Sequence, residues 1–149
     1  MDIKYMKIAY NEAIKAFNKN EIPVGCVIVK DGVIVSKAYN LRESKNSVLA
    51  HAELLAIKKA NAKLNSWRLE ECDMYVTLEP CPMCLGAIIQ ARIKNLYFGA
   101  YDPKTGACGS VLDLNSFKFN HKLDITGGIM VDECSKLMKD FFKTLRSWL

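Results

Sequence analysis

The chain has 149 residues, half of them hydrophobic and a quarter charged, with a formal net charge of +5. That balance excludes a fibrous, low-complexity or disordered chain and predicts one globular, soluble domain over residues 1–149, with no apolar run near the roughly 20 residues of a membrane helix. Asp2 and Glu12 among the first apolar positions argue against a secretory signal, so the six cysteines are read in a cytoplasmic, reducing setting where a disulfide framework is disfavoured.

Residues 2–18 place Met6, Ala9, Tyr10, Ala13, Ile14 and Phe17 at three- and four-residue intervals, predicting an amphipathic helix capped by Asp2. Ile22-Pro23-Val24-Gly25 breaks it. Residues 24–30 and 33–39 then read as two strands joined by the two-residue turn Asp31-Gly32. Residues 40–48 are polar and aperiodic, a loop. A helix is expected over about 50–64, with Leu54, Leu55, Ile57 and Ala60 facing the core, followed by a short buried strand over 74–78. Residues 83–92 are apolar nearly all round, which predicts a buried helix. Residues 95–100 form a strand, 101–109 a glycine-containing loop, and 117–125 an irregular segment with room for a short final strand. Gly127-Gly128 reads as a turn. A last amphipathic helix is expected over 131–148, carrying Cys134, Leu137, Met138, Phe141, Phe142 and Leu145. Strands alternating with helices after an opening hairpin imply an α/β sandwich with a mixed sheet.

The chemistry concentrates in Glu79-Pro80-Cys81-Pro82-Met83-Cys84 and Ala50-His51-Ala52-Glu53. Two thiols separated by two residues face one ion if they open a helix, where backbone N–H groups and the positive dipole end favour thiolates. Pro82 suits the first turn of that helix, because its missing N–H would have had no intrahelical partner. With His51 the set is three ligands of the zinc palette, and the open fourth position points to a catalytic metal centre. Glu53 lies two residues from His51 and faces another side of the helix; a carboxylate beside an open zinc position is what general acid/base chemistry requires. Taken singly, the paired cysteines also fit a redox pair or half of a zinc ribbon, and the His-x-Glu fits a plain helix start. No second Cys-x-x-Cys exists to complete a ribbon. Cys26, Cys72, Cys108 and Cys134 have no ligand-like neighbours and read as small buried or half-buried residues. His121, beside Asn120, reads as a hydrogen-bonding loop residue.

Charge is unevenly placed. Residues 30–68 hold eight basic and three acidic residues, and the remainder holds thirteen of each. The segment is either a solvated helix face bearing Lys58, Lys59 and Lys63 or a footprint for a phosphate backbone.

The two motifs resemble the His-x-Glu…Pro-Cys-x-x-Cys signature of the zinc-dependent nucleoside and nucleobase deaminases. Within that superfamily the chain is similar to the bacterial tRNA adenosine deaminases over nearly its whole length. The likeness includes Ile22-Pro23-Val24-Gly25, Asn40, Asp102-Pro103-Lys104-Thr105-Gly106-Ala107, Gly109-Ser110, Asn120-His121, Asp132-Glu133-Cys134 and Phe141-Phe142. The resemblance implies a three-layer α/β/α sandwich of the cytidine deaminase type, with a mixed five-stranded sheet. It implies one Zn2+ per subunit on His51, Cys81 and Cys84, with Glu53 shuttling protons. The implied reaction is hydrolytic deamination of the wobble adenosine of a tRNA anticodon to inosine by zinc-activated water. The implied substrate contacts are Asn40 on the flipped nucleotide, Val24, Asp102, Lys104 and Asn120, and Phe142 and Arg146 on the last helix. A homodimer acting on an anticodon stem-loop is implied as well. Ser47-Val48-Leu49, just before His51, departs from the polar-Pro-Thr common in that family. Two other readings are a free-base deaminase acting on guanine or cytosine, since Pro-Cys-Pro-Met-Cys-Leu-Gly-Ala also occurs in such enzymes, and a noncatalytic RNA-binding module with structural zinc.

Overall fold

The computed structural model describes residues 1–147, with side chains through Leu145. In chain order the elements are α1 (Ile3–Asn18), β1 (Gly25–Lys30), β2 (Val33–Tyr39), α2 (Ala52–Leu64), β3 (Cys72–Leu78), α3 (Pro82–Gln90), β4 (Asn95–Ala100), β5 (Asp124–Thr126) and α4 (Val131–Ser147), with a 3-10 turn at Leu114–Ser116. Trp148, expected at the end of the last helix, lies outside the described residues. Asp2 caps α1 as expected, its carboxylate accepting the Lys4 amide.

Period-two alternation in the strands decides the layering. Cys26, Ile28, Met74, Val76, Leu96 and Phe98 line one face of the sheet, under α2 and α3. Val27, Val29 and Tyr75 line the other, under Tyr5, Met6 and Ala9 of α1. α4 covers the same face as α1, and the Phe17 and Phe141 rings meet at 5.8 Å between centroids. The strand order is β2-β1-β3-β4-β5, with β1 antiparallel to both neighbours and β3, β4 and β5 mutually parallel. The molecule is thus the expected three-layer sandwich on a mixed five-stranded sheet. This topology gathers the start of β1 and the ends of β2, β3 and β4 at one rim. Ligands bind at the carboxyl ends of parallel strands in open α/β sheets for the same reason.

Two expectations need correction, and a third, the short final strand, is met. α2 turns Ala52, Ala56, Ile57 and Ala60 to the sheet, whereas Leu54 is only half-buried and outside the core. Alanines four residues apart form a flat stripe that lets the helix lie close, and this rotates Leu54 outward. α3 is not buried all round: Cys84, Leu85, Ile88 and Ile89 face inward, while Pro82, Met83 and Gln90 are exposed. It is a single layer over the sheet, with no described element covering its far flank. The segment 117–125 ends in β5, which pairs in parallel with β4.

α1 reaches β1 at Gly25. A methyl group there would overlap the Ala9 carbonyl oxygen and the Ala13 amide nitrogen, both backbone atoms that cannot step aside. Gly25→Ala is therefore expected to destabilise the fold by about 3 kcal/mol, the upper range for overpacking, read as a lower midpoint in urea unfolding.

Candidate active site

Two helix starts converge on the rim. His51 is the N-cap of α2 and Cys81 the N-cap of α3; Pro82 follows in the first turn, and Cys84 sits one turn in. Neither side chain makes a capping hydrogen bond to its helix, and the two face each other across the rim. His51 Nδ1 lies 3.9 Å from Cys81 Sγ and 3.4 Å from Cys84 Sγ, and the three donor atoms fall within 4.8 Å of one another. A tetrahedral zinc with bonds of about 2.0–2.3 Å spaces such donors roughly 3.5–3.8 Å apart, so the set fits zinc in both chemistry and spacing. Among the described residues this is the His, Cys, Asp or Glu group able to hold a metal ion.

The thiols are already unequal. A hydrogen bond with Cys84 brings Cys81 down to about 4, and the same bond, together with burial, drives the Cys84 thiol far up. A hydrogen bond to Cys81 raises His51. Three such donors gathered within 4.8 Å of one another form a pocket organised for a cation. Elsewhere, burial pushes the Cys108 and Cys134 thiols up to about 12 and also raises Cys26 and Cys72, as inert cysteines require.

Glu53 stands in the first turn of α2, only 4% exposed, outside the ligand set yet lining the same cleft. Burial pushes its carboxyl from 4.5 up to about 7. That value suits a group that must both take and give a proton near neutrality.

The cleft holds about 130 Å³ and is lined by Val24, Asn40, Asp102 and Thr105 as well as His51, Glu53 and Cys81. Of the residues singled out in the sequence, it therefore brings together Val24, Asn40 and Asp102 with the metal group. The Asn40 amide donates to the Ile22 carbonyl (3.2 Å), and its oxygen accepts the Arg42 amide (3.1 Å), so its orientation is fixed. Lys104 and Phe142 lie in an adjoining groove with Arg42, Asp102, Lys139 and Lys143. Asn120 is not brought to the site. It is exposed, and its neighbour His121 bonds the Ile93 carbonyl at 2.7 Å, at the opposite rim where β4 begins. The Arg146 side chain lies outside the described residues.

The structure also redistributes the charge. Of the basic residues between 30 and 68, only Arg42 lines the cleft or the groove; Lys104, Lys139 and Lys143 come from elsewhere in the chain. Cations from distant segments converge here, a pattern no count along the chain reveals.

Sequence reasoning assigned no role to Glu21, which is almost fully buried. It accepts the Glu43 amide (3.0 Å) and the Ser44 amide and hydroxyl (2.6 Å each), pinning the loop that carries Arg42. Burial alone would raise its carboxyl, but the bonds from Ser44 and Glu43 outweigh it and hold it below 4.5. A carboxyl held low stabilises the fold above its ordinary range, and that contribution is lost as pH falls through it. Glu21→Gln is expected to cost about 1–2 kcal/mol at pH 7. The gap between mutant and parent melting temperatures should narrow as pH drops below 4.5, which paired thermal melts would show.

An α/β/α sandwich with a His/Cys/Cys group and a buried carboxylate at two helix starts is of the deaminase class, and a family model described as MafB19-like deaminase matches residues 1–146. The chain is 45% identical over 146 residues to the tRNA-specific adenosine deaminase of Bacillus subtilis strain 168, covering 97% of this chain and 91% of that protein. It belongs to the tRNA-specific adenosine deaminase family. A solved tRNA A34 deaminase, from work on A-to-I editing at the wobble position, matches with a TM-score of 0.87 at 39% identity, over 91% of this chain and 99% of that one. A guanine deaminase structure from Bacillus subtilis is also similar, at 30% identity and a TM-score of 0.65 over 97% and 92% of the two chains.

Proposed function

We propose that this chain converts the wobble adenosine of a tRNA anticodon to inosine, consuming water and releasing ammonia. The observation that carries the reading is a buried proton-transfer group, Glu53, in one cleft with the His51, Cys81 and Cys84 set, opening beside a cationic groove. Membership of the tRNA-specific family supports the adenosine substrate over a free base. A free base has no phosphate for Arg42, Lys104, Lys139 and Lys143 to meet.

His51, Cys81 and Cys84 would hold one zinc ion per subunit. Bound there, zinc acidifies a coordinated water toward a pKa of about 7 and so makes a nucleophile at neutral pH. Glu53 accepts the proton released as the water oxygen bonds to C6 of the adenine. It delivers that proton to the adjacent ring nitrogen, and a second transfer through the same carboxyl leaves the exocyclic amine as ammonia when its C–N bond breaks. Val24, Asn40 and Asp102 bound the nucleoside. The groove cations meet backbone phosphates, so binding weakens with salt. Phe142 and Tyr101 offer apolar surface for the flanking bases. An anticodon loop is single-stranded, so extruding its base costs less than flipping one from a duplex.

Residues 1–149 are read as one deaminase domain, working in the cytoplasm. Among the described residues no helix is long and apolar enough to cross a membrane. A homodimer is part of the proposal. Val48, Leu49 and Met83 are exposed apolar residues in the loop before His51 and on the uncovered flank of α3. A second subunit would cover them, and sedimentation as a monomer at micromolar concentration would contradict this. The function itself is tested by incubating zinc-loaded protein with a tRNA transcript and mapping inosine. Inosine should form at the wobble position alone; an unmodified transcript would refute the proposal.

A further inference from the structure

Glu79, the residue before Pro80-Cys81, is 2% exposed, lines the cleft and belongs to no ligand set. One of its oxygens accepts the Asp102 amide (3.0 Å) and the Ser110 hydroxyl. The other accepts the amides of Cys108 (2.9 Å) and Ser110 (3.2 Å). Gly106 lies against the carboxyl so closely that a methyl group there would overlap it. One residue further, the Pro80 carbonyl accepts the Ala107 amide at 2.9 Å. The segment 101–110 contains no helix or strand, and these bonds are what it wraps around. It supplies Asp102 and Thr105 to the cleft and Lys104 to the groove.

We infer that Glu79 is a positioning residue for the RNA substrate. It holds the loop 101–110 as the preformed wall of the cleft and acts through Asp102 and Thr105, not on the reacting atoms. Four donors converge on its two oxygens, a demand that only a carboxylate meets in full. Glutamine would turn an N–H2 group toward donors and lose part of the set. A wall that must be ordered anew at each encounter weakens binding more than it slows a bound substrate, because the ligand then meets the cost of ordering.

The inference rests on the tRNA reading above, and one experiment separates the two. Steady-state kinetics on a wobble-adenosine stem-loop, zinc content and amide hydrogen exchange would be measured for the parent, Glu79→Gln and Ser110→Ala. Glu79→Gln should raise KM roughly tenfold, with kcat within about threefold of the parent. Bound zinc should be unchanged, and faster exchange should be confined to residues 101–110. Ser110→Ala removes one donor and should move KM the same way by a smaller factor, which guards against a Glu79 variant that fails to fold. Parental KM in both variants, or loss of zinc and kcat at unchanged KM, would overturn the inference. A parent inactive on the stem-loop would take down the tRNA reading and this one with it.

Discussion

Glu53→Gln should lower kcat for the stem-loop by roughly 10²–10⁴-fold, the range typical of a lost general acid/base, while zinc content and RNA affinity stay near the parent. The side chain is 4% exposed and outside the metal group, so its replacement by an isostere leaves the ligands and the groove in place. What disappears is a buried carboxyl of the cleft, beside the metal group, that burial pushes up to about 7. Burial opposes its charge, so the neutral isostere relieves a cost to the fold, and the melting temperature should hold or rise. Single-turnover kinetics and calorimetry check both halves. A variant with kcat within tenfold of the parent would mean that another group carries the proton.

Removing the metal should have the second largest effect. Cys84 is fully buried, and the donor atoms of His51, Cys81 and Cys84 lie within 4.8 Å of one another, close enough to share one ion. A ligand present at a thousandfold excess over its Kd stabilises the native state by about 4 kcal/mol. At about 2–4 °C per kcal/mol for a domain of this size, chelation should lower the melting temperature by about 10 °C and abolish turnover. Zinc should restore both, and magnesium neither, because thiolate and imidazole donors do not suit a hard, oxygen-seeking cation. Full activity after exhaustive chelation would exclude the metal from the reaction, and an unchanged melting temperature would exclude it from the fold.

The site's core was legible in the sequence because helix starts announce themselves locally. His51 and Cys81 occupy cap positions and Pro82 the first turn; the proline's place follows from residue type, and the other two follow from the spacing of the motifs. The hairpin at Asp31-Gly32 was legible for the same reason, and both residues take positive φ. The walls of the cleft were less so. Glu21 and Glu79 look like ordinary surface acids in a string of letters. Their role appears only when chain reversal brings the amides of residues 43–44 and 102–110 onto them. A buried carboxylate serving backbone donors has no sequence signature beyond its apolar neighbours: Ile22 beside Glu21, and Leu78 and Pro80 around Glu79. The groove cations were hidden likewise, since Arg42, Lys104, Lys139 and Lys143 meet only in three dimensions. α3 misled in the opposite sense. Its all-round apolarity reads as burial, yet Pro82 and Met83 are exposed in the single chain, and a subunit interface carries the same composition as a core.

The measurement that decides most is a side-by-side comparison of kcat/KM for a wobble-adenosine stem-loop and for free guanine, cytosine and adenosine, with zinc-loaded protein at low and moderate salt. Turnover of the stem-loop alone, falling as salt rises, is the predicted result. Turnover of a free base with the stem-loop untouched would contradict it and leave the cationic groove as a solvated surface.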